Sequence, residues 1–209
     1  MSHYYENNPD LKSNPQNINF RFRGKELTFL ADAGVFSKTR VDFGSRLLLE
    51  SITCNLAGKR VLDIGCGYGA IGISLAKFYP NAVIEMTDVN QRALDLARRN
   101  AEANEIKNVI ISESNLYEQI TSRFDLIVSN PPIRAGKRIV HEIVEKAYEY
   151  LNPDGELWVV IQKKQGAPSL LKKLEAVFPK TSTVAREKGY YIYRSLKNNE
   201  IILDIFTKL

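Results

Sequence analysis

The chain has 209 residues, 44% of them hydrophobic and 25% charged, which suits one folded domain able to bury roughly 70% of its unfolded surface without disulfides or metal. Twenty-nine Lys and Arg against twenty-four Asp and Glu give a net charge of +5, a bias that fits either a solvated surface or contacts to nucleic-acid phosphates. A disulfide mini-protein is excluded, as is a membrane helix, because the longest uncharged stretch, 64–76, is short and broken by glycines while a span needs ~20 apolar residues.

At the amino end, MSHYYENNPDLKSN has no basic run followed by an apolar stretch, so no leader and a cytoplasmic location are expected. INFRFRG and KELTFLA flank Gly24 and predict a hairpin, which makes residues 1–30 an extension before a domain spanning 31–195. From Val61 on, the rhythm is that of βαβ units: RVLDIG, the helical AIGISLAKFY, AVIEMTDV, then the helical NQRALDLARRNAEANE. NVIISES and the uniformly apolar FDLIVSN continue it. They are followed by KRIVHEIVEKAYEYL, with Val140, Val144, Ala147 and Leu151 on one helix face, and then ELWVVIQ. Strands apolar throughout are covered on both faces, so the fold class is α/β, Rossmann-like, with a mostly parallel seven-stranded sheet and helices on both sides. STVAREKG and YYIYRSL predict an antiparallel hairpin near the carboxyl end. The extension 196–209 includes EIILDIFTKL, which alternates weakly and fits an edge strand, a short helix or a partner contact.

In such a sheet ligands bind beyond the carboxyl ends of the strands. After the first of them, Gly65, Gly67 and Gly69 stand at alternate positions before a helix, a turn that brings backbone and helix amide groups close to a ligand. Gly65, Gly67 and Ala70 also satisfy the dinucleotide pattern, so the loop alone fits a nicotinamide or flavin enzyme as well as a methyltransferase. Asp63, two residues before the loop, would meet an amino-bearing ligand and repel a bare pyrophosphate. Asp88 ends the second strand, where a carboxylate accepts ribose hydroxyls.

Asn130, Pro131, Pro132 and Ile133 follow FDLIVS and so lie at its carboxyl end beside the glycine loop. An exocyclic base amine is a poor nucleophile because its lone pair is delocalised into the ring. Two acceptors, the Asn130 side-chain oxygen and the Pro131 carbonyl, can favour the pyramidal nitrogen of a methyl-transfer transition state, with the prolines fixing the geometry. No strong general base is needed. Alone, NPP is also an ordinary strand-ending turn.

DIGCGYG, the acidic end of the second strand and NPPI resemble the class I methyltransferases that use S-adenosylmethionine. GVFSKTRVDFGSRLLLE, NPPIRAGK and QKKQGAP are similar to the bacterial small-subunit ribosomal RNA guanine-N2 methyltransferases of the RsmC type, over residues 29–193. The resemblance implies that Val35 and Phe36 line the cofactor pocket, that Asp63 and Gly65, Gly67 and Gly69 hold the methionine end, and that Asp88 holds the ribose. It places Asn115, where the family more often has Asp, by the adenine. The implied activity is transfer of a methyl group to guanine N2 in RNA. Ile133 stands where enzymes acting on adenine or glutamine amines carry Tyr or Phe, which argues against those substrates. Stacking could come from Phe36, Tyr190 or Tyr191.

Arg134, Lys137 and Arg138 follow NPPI, and Lys163 and Lys164 follow the fifth strand, so both sets are expected on the cofactor face as a phosphate-binding rim, or as solvated charge. Arg21, Arg23 and Lys25 could extend the rim. His141 and Cys66 are expected to pack rather than react. With His3 and Cys54 they show no paired zinc spacing, so no metal is expected. The rival readings are a methyltransferase for another planar amine, a non-catalytic RNA-binding assembly factor and a nicotinamide oxidoreductase. RsmC-type proteins often carry a second, degenerate copy of the domain, which this length does not accommodate. Self-association as a homodimer or the terminal extensions would have to replace it in gripping RNA.

Overall fold

The computed structural model describes residues 12–35, 37, 39–132 and 136–198. Strands β1 (Gln16–Phe22) and β2 (Lys25–Ala31) form the first hairpin, followed by helix α1 (Phe43–Ser51). Then come β3 (Arg60–Ile64), α2 (Ala70–Phe78), β4 (Val83–Asp88), α3 (Gln91–Ala103), β5 (Val109–Glu113) and β6 (Phe124–Ser129). The chain continues through α4 (Lys137–Tyr150), β7 (Leu151–Gln162), α5 (Ala167–Val177), β8 (Lys180–Glu187) and β9 (Tyr190–Leu196). The main sheet has the order β5-β4-β3-β6-β7-β9-β8, parallel from β5 to β7 and antiparallel across β9 and β8. This is the expected Rossmann-like architecture, with its carboxyl-terminal hairpin.

The uniformly apolar strands are explained by cover on both faces. Val61, Leu126 and Val128 pack under the hairpin and α1 to α3, while the intervening Leu62, Ile64 and Ile127 pack under α4 and α5. The chain order reverses between β3 and β6, which are hydrogen-bonded neighbours with Asp63 opposite Val128. The loops after these two strands therefore open into one crevice at the switch point. Ser129 ties them together, its hydroxyl donating to the Ile64 carbonyl at 3.0 Å.

Both predicted hairpins form, each on a two-residue turn. Arg23 and Gly24 have φ of 47° and 80°, and Lys188 and Gly189 have 47° and 79°, the left-handed pair that matches strand twist. The first hairpin is built into the core, with Ile18, Phe22, Leu27 and Phe29 almost fully buried. Asn100 on α3 and Asn104, which caps its carboxyl end, act as a strand partner for β2. Asn100 accepts from Leu30 N at 2.7 Å and donates to Leu30 O at 2.9 Å, and Asn104 makes the same pair with Thr28 at 3.0 and 2.7 Å. An unpaired buried backbone group costs about 1–3 kcal/mol, so these amides make docking of β2 on a helix tolerable.

Three elements depart from the sequence-based expectation. Helices α1 and α5 have no counterpart in it, and the helix expected through Leu151 ends at Tyr150, where β7 begins. Strand β7 runs through Asn152, Pro153, Asp154 and Gly155 because four of its residues bulge against Asp125 alone between two regular pairings. Among the described residues no helix is long and apolar enough to cross a membrane.

Candidate active site

The glycine loop leaves β3 with Gly65, Gly67 and Gly69 at φ of 73°, 57° and 93°, a conformation that favours glycine at all three positions. It is fastened to β4: Gly65 N and Cys66 N both donate to Thr87 O, at 2.8 and 2.9 Å, and Gly67 N donates to Asp88 Oδ2 at 2.9 Å. A Cβ on Gly67 would meet nothing within 4 Å, whereas one on Gly69 would strike Ile73 Cδ1 at 2.7 Å and Met86 Cε at 2.8 Å. Among the described residues Gly67 thus lines open space, Gly65 faces Pro132, and Gly69 lets α2 close against β4.

Asp63 lies beneath the loop, almost fully buried. Its Oδ2 accepts from Gly72 N in the first turn of α2 at 2.8 Å, while its Oδ1 has no hydrogen-bond partner among the described residues. Burial pushes this carboxyl up to about 7, with Asp88 adding to the rise and the Gly72 amide opposing it. An orphaned, buried, half-protonated carboxylate fits a ligand carrying a positive amino group. Asp88 is half-buried and also raised by burial, against the pull of the Asn90, Gly67 and Val89 amides. Its Oδ1 accepts from Asn90 N at 2.9 Å.

Val35 is buried in a loop held over the end of β4, where Asn90 Nδ2 donates to Gly34 O at 3.0 Å and an Arg92 guanidinium nitrogen to Ala33 O at 3.1 Å. Asn115 is exposed after β5, its amide donating to Glu118 Oε1 at 2.7 Å. Phe36, Ile133 and Arg134 lie outside the described residues, as does the segment EIILDIFTKL.

Asn130 and Pro131 sit at the end of β6, and Pro132 comes beside the glycine loop: its Cδ is 3.9 Å from where a Gly65 Cβ would be. Asn130 Nδ2 donates to Ser45 Oγ at 3.0 Å and to Asp42 Oδ2 at 3.2 Å. Those partners belong to α1, whose first turn Asp42 caps by accepting from Gly44 N and Ser45 N at 2.8 and 3.2 Å. The sequence reading missed this cap, although an Asp ahead of the apolar LLLE run is a helix-start signal. Its partner 88 residues away carries no such signal.

Lys163 and Lys164 are exposed in a short 3-10 turn after β7, and Lys137 and Arg138 are exposed in the first turn of α4. The β8–β9 turn joins the former pair, since Lys163 N donates to Gly189 O at 2.7 Å. That turn carries a cation the sequence reading missed: Lys188 Nζ lies 4.6 Å from the centre of the Phe43 ring. Arg21, Arg23 and Lys25 do not join this rim. Arg21 pairs with Glu26 on its own hairpin, and Arg23 packs on Phe22 and Phe78 and donates to Tyr79 and Ile52. Tyr190 packs on Phe43 at 5.5 Å and Tyr191 beside Tyr193 at 6.1 Å, so both serve as walls of the fold. His141 lies 3.4 Å from Ser169 between α4 and α5. Burial first, then Lys137 and Lys173, holds its pKa low. Cys66 is buried, and its thiol pKa is pushed well up.

A profile of the methyltransferase small domain matches residues 26–194. The chain belongs to that family. Its methyl donor is S-adenosylmethionine, which the open space at Gly67 and the orphaned Asp63 oxygen fit. Among similar proteins, the uncharacterized protein YbxB of Bacillus subtilis (strain 168) is 52% identical over 93% of this chain and 98% of its own length. Ribosomal RNA small subunit methyltransferase C of Haemophilus influenzae (strain PittGG) is 37% identical over 83% of this chain and 52% of its own. Among solved structures, the T. thermophilus 16S rRNA N2 methyltransferase RsmC, in complex with AdoMet and guanosine, is 30% identical with a TM-score of 0.79. That match covers 91% of this chain and 52% of that one. The chain thus spans about half the length of the RsmC relatives it matches.

Proposed function

We propose that the chain transfers a methyl group from S-adenosylmethionine to the exocyclic N2 amine of a guanine in RNA, with small-subunit ribosomal RNA as the substrate. The observation that carries this reading is the Asn130 amide, held beside the glycine loop with both of its hydrogens engaged and its oxygen accepting from none of the described residues. The structural likeness to an enzyme crystallised with AdoMet and guanosine supports it.

In this reading Val35 walls the cofactor pocket, Asp63 takes the amino group, Gly65, Gly67 and Gly69 pass the methionine end, Asp88 takes the ribose and Asn115 flanks the adenine. When bound, S-adenosylmethionine supplies a methyl group activated by its sulfonium. Asn130 Oδ1 and the Pro131 carbonyl each accept one hydrogen of the guanine amine, which aims its lone pair at the methyl and favours the pyramidal nitrogen. As the new N–C bond forms and the C–S bond breaks, the nitrogen becomes strongly acidic and passes one proton to water, so these residues need not act as bases. Nucleoside mass spectrometry of small-subunit RNA from cells with and without the gene tests the reading. Loss of N2-methylguanosine is expected, and loss of methyladenosine instead would overturn it.

Asp63 gives the site a pH dependence. In the free protein its raised carboxyl lowers stability as pH climbs from the ordinary value of 3.8 to about 7, because over that range the unfolded chain releases the proton while the buried carboxyl retains it. An arriving ammonium favours the anion. Cofactor affinity is therefore expected to rise about tenfold between pH 6 and 8, with proton uptake by buffer below 7. Calorimetry in buffers of different ionisation enthalpy reads both, and Asp63→Asn should flatten the profile.

The rim formed by Lys137, Arg138, Lys163 and Lys164 is assigned to RNA phosphates. On single-stranded RNA the log–log salt slope of affinity is about −0.7 per neutralised phosphate. Replacing Lys163 and Lys164 by Ala should make the slope shallower by about 1.4 and leave S-adenosylmethionine binding unchanged. Coincident slopes in a salt titration would show these lysines to be merely solvated.

A further inference from the structure

The chemistry assigned to Asn130 requires one of its two amide orientations. With the oxygen facing the crevice, both Nδ2 hydrogens have partners on α1, at 3.0 Å in Ser45 Oγ and 3.2 Å in Asp42 Oδ2. With the amide turned over, the oxygen would face the Asp42 carboxylate, two acceptors with no hydrogen between them. Asp42 cannot swing away cheaply. Its other oxygen caps α1 through Gly44 N and Ser45 N, and its own carbonyl accepts from Arg46 N at 3.1 Å to start the helix. The helix end is itself wedged in place. A Cβ on Gly44 would lie 2.8 Å from Tyr190 Cε1 and 3.0 Å from Asp42 Oδ1, so only glycine lets the helix approach β9 this closely. Ser45 is buried, which keeps water from replacing its hydroxyl.

We propose that Asp42 and Ser45 are positioning residues for methyl transfer: they lock the Asn130 amide with its oxygen toward the substrate amine, and the Asp42 charge polarises that amide into a stronger acceptor. The proposal rests on the role given to Asn130 above. An anion hydrogen-bonded to the NH2 end of an amide draws positive charge there and leaves more negative charge on the oxygen, as in any chain of polarised hydrogen bonds. A helix cap thereby becomes part of the machinery, its carboxylate reaching from α1 to the amide at the end of β6.

The test combines turnover with a direct view of the amide. Asp42→Asn keeps a good capping residue. Whichever way the new amide turns, however, it presents hydrogens either to the helix amides or to Asn130. Turnover with S-adenosylmethionine and RNA is expected to fall at least about tenfold, less than the loss of the Asn130 oxygen itself because the acceptor is misaligned rather than removed, while cofactor affinity stays within about twofold. Ser45→Ala leaves the cap acceptor in place and should lower turnover by about threefold, the scale of one neutral hydrogen bond, so it serves if Asp42→Asn folds poorly. On an Asn130→Ala background neither change should reduce turnover further, because the group they position is gone. Equal losses on both backgrounds, or full turnover in Asp42→Asn, would overturn the proposal. The Asn130 side-chain amide signals in a nitrogen–proton NMR spectrum should move in both variants, and unmoved signals would also overturn it. Wild-type protein that methylates no RNA would refute the substrate instead, with the amide signals still deciding the lock.

Discussion

Asn130→Ala is expected to lower turnover by about two orders of magnitude or more, the effect of removing one preorganised transition-state hydrogen-bond group, with cofactor affinity nearly unchanged. The size follows from what the side chain does in place. Its two hydrogens are engaged by Asp42 and Ser45, so truncation to alanine removes, on the crevice side, one carbonyl oxygen. That oxygen meets the amine hydrogen most strongly when the nitrogen turns pyramidal, so its loss falls on the chemical step more than on binding. Cofactor contacts assigned to Asp63, Asp88 and the glycines are untouched, because they hang from β3 and β4 rather than from β6. Single-turnover rates at saturating S-adenosylmethionine and RNA, with calorimetry of the cofactor, separate the two quantities. A variant close to wild-type turnover would refute the amine-aiming role, and one that loses cofactor affinity in the same proportion would mean that Asn130 supports the pocket instead.

The parallel sheet and the two motifs at its switch point were legible because they are local. Leu62 and Val61 point to opposite faces, yet both are apolar, and that pattern over five or six residues admits few folds. The glycine loop and NPP each follow such a strand, so their neighbourhood could be inferred from topology before Pro132 was seen against Gly65. What escaped the sequence was long-range and polar. Nothing in the helical pattern of NQRALDLARRNAEANE marks Asn100 and Asn104, yet they are 1% and 6% exposed because an entire strand edge leans on them. Asp42 carries a helix-start signal, while its second role depends on a partner from β6. Lys188 reaches the site only because an antiparallel hairpin returns its turn to the carboxyl end of β7. The end of α4 failed for a different reason: Asn152 to Gly155 has the composition of a turn and is nonetheless a bulge within β7.

Asp88→Ala is expected to weaken cofactor binding by about 1.5–3 kcal/mol, roughly 10- to 150-fold, as charge-assisted hydrogen bonds are lost. Two effects contribute. Asp88 Oδ2 holds Gly67 N and Oδ1 holds Asn90 N, both at 2.9 Å, so the carboxylate already ties the glycine loop to the start of α3. A carboxylate has about four acceptor sites, which leaves room for a ribose hydroxyl beside the Gly67, Asn90 and Val89 amides. Truncation therefore loosens the loop and removes the ribose acceptor together. A cofactor analogue lacking the ribose hydroxyls separates them. If Asp88 contacts the ribose, wild-type protein should lose affinity for the analogue while Asp88→Ala discriminates little between analogue and cofactor. If the variant discriminates as strongly as wild type, the ribose is held elsewhere and Asp88 acts through the Gly67, Asn90 and Val89 amides alone. Asp88→Asn, which keeps one carbonyl oxygen but not the charge, should fall between the two, because neutral acceptors form hydrogen bonds about half as strong.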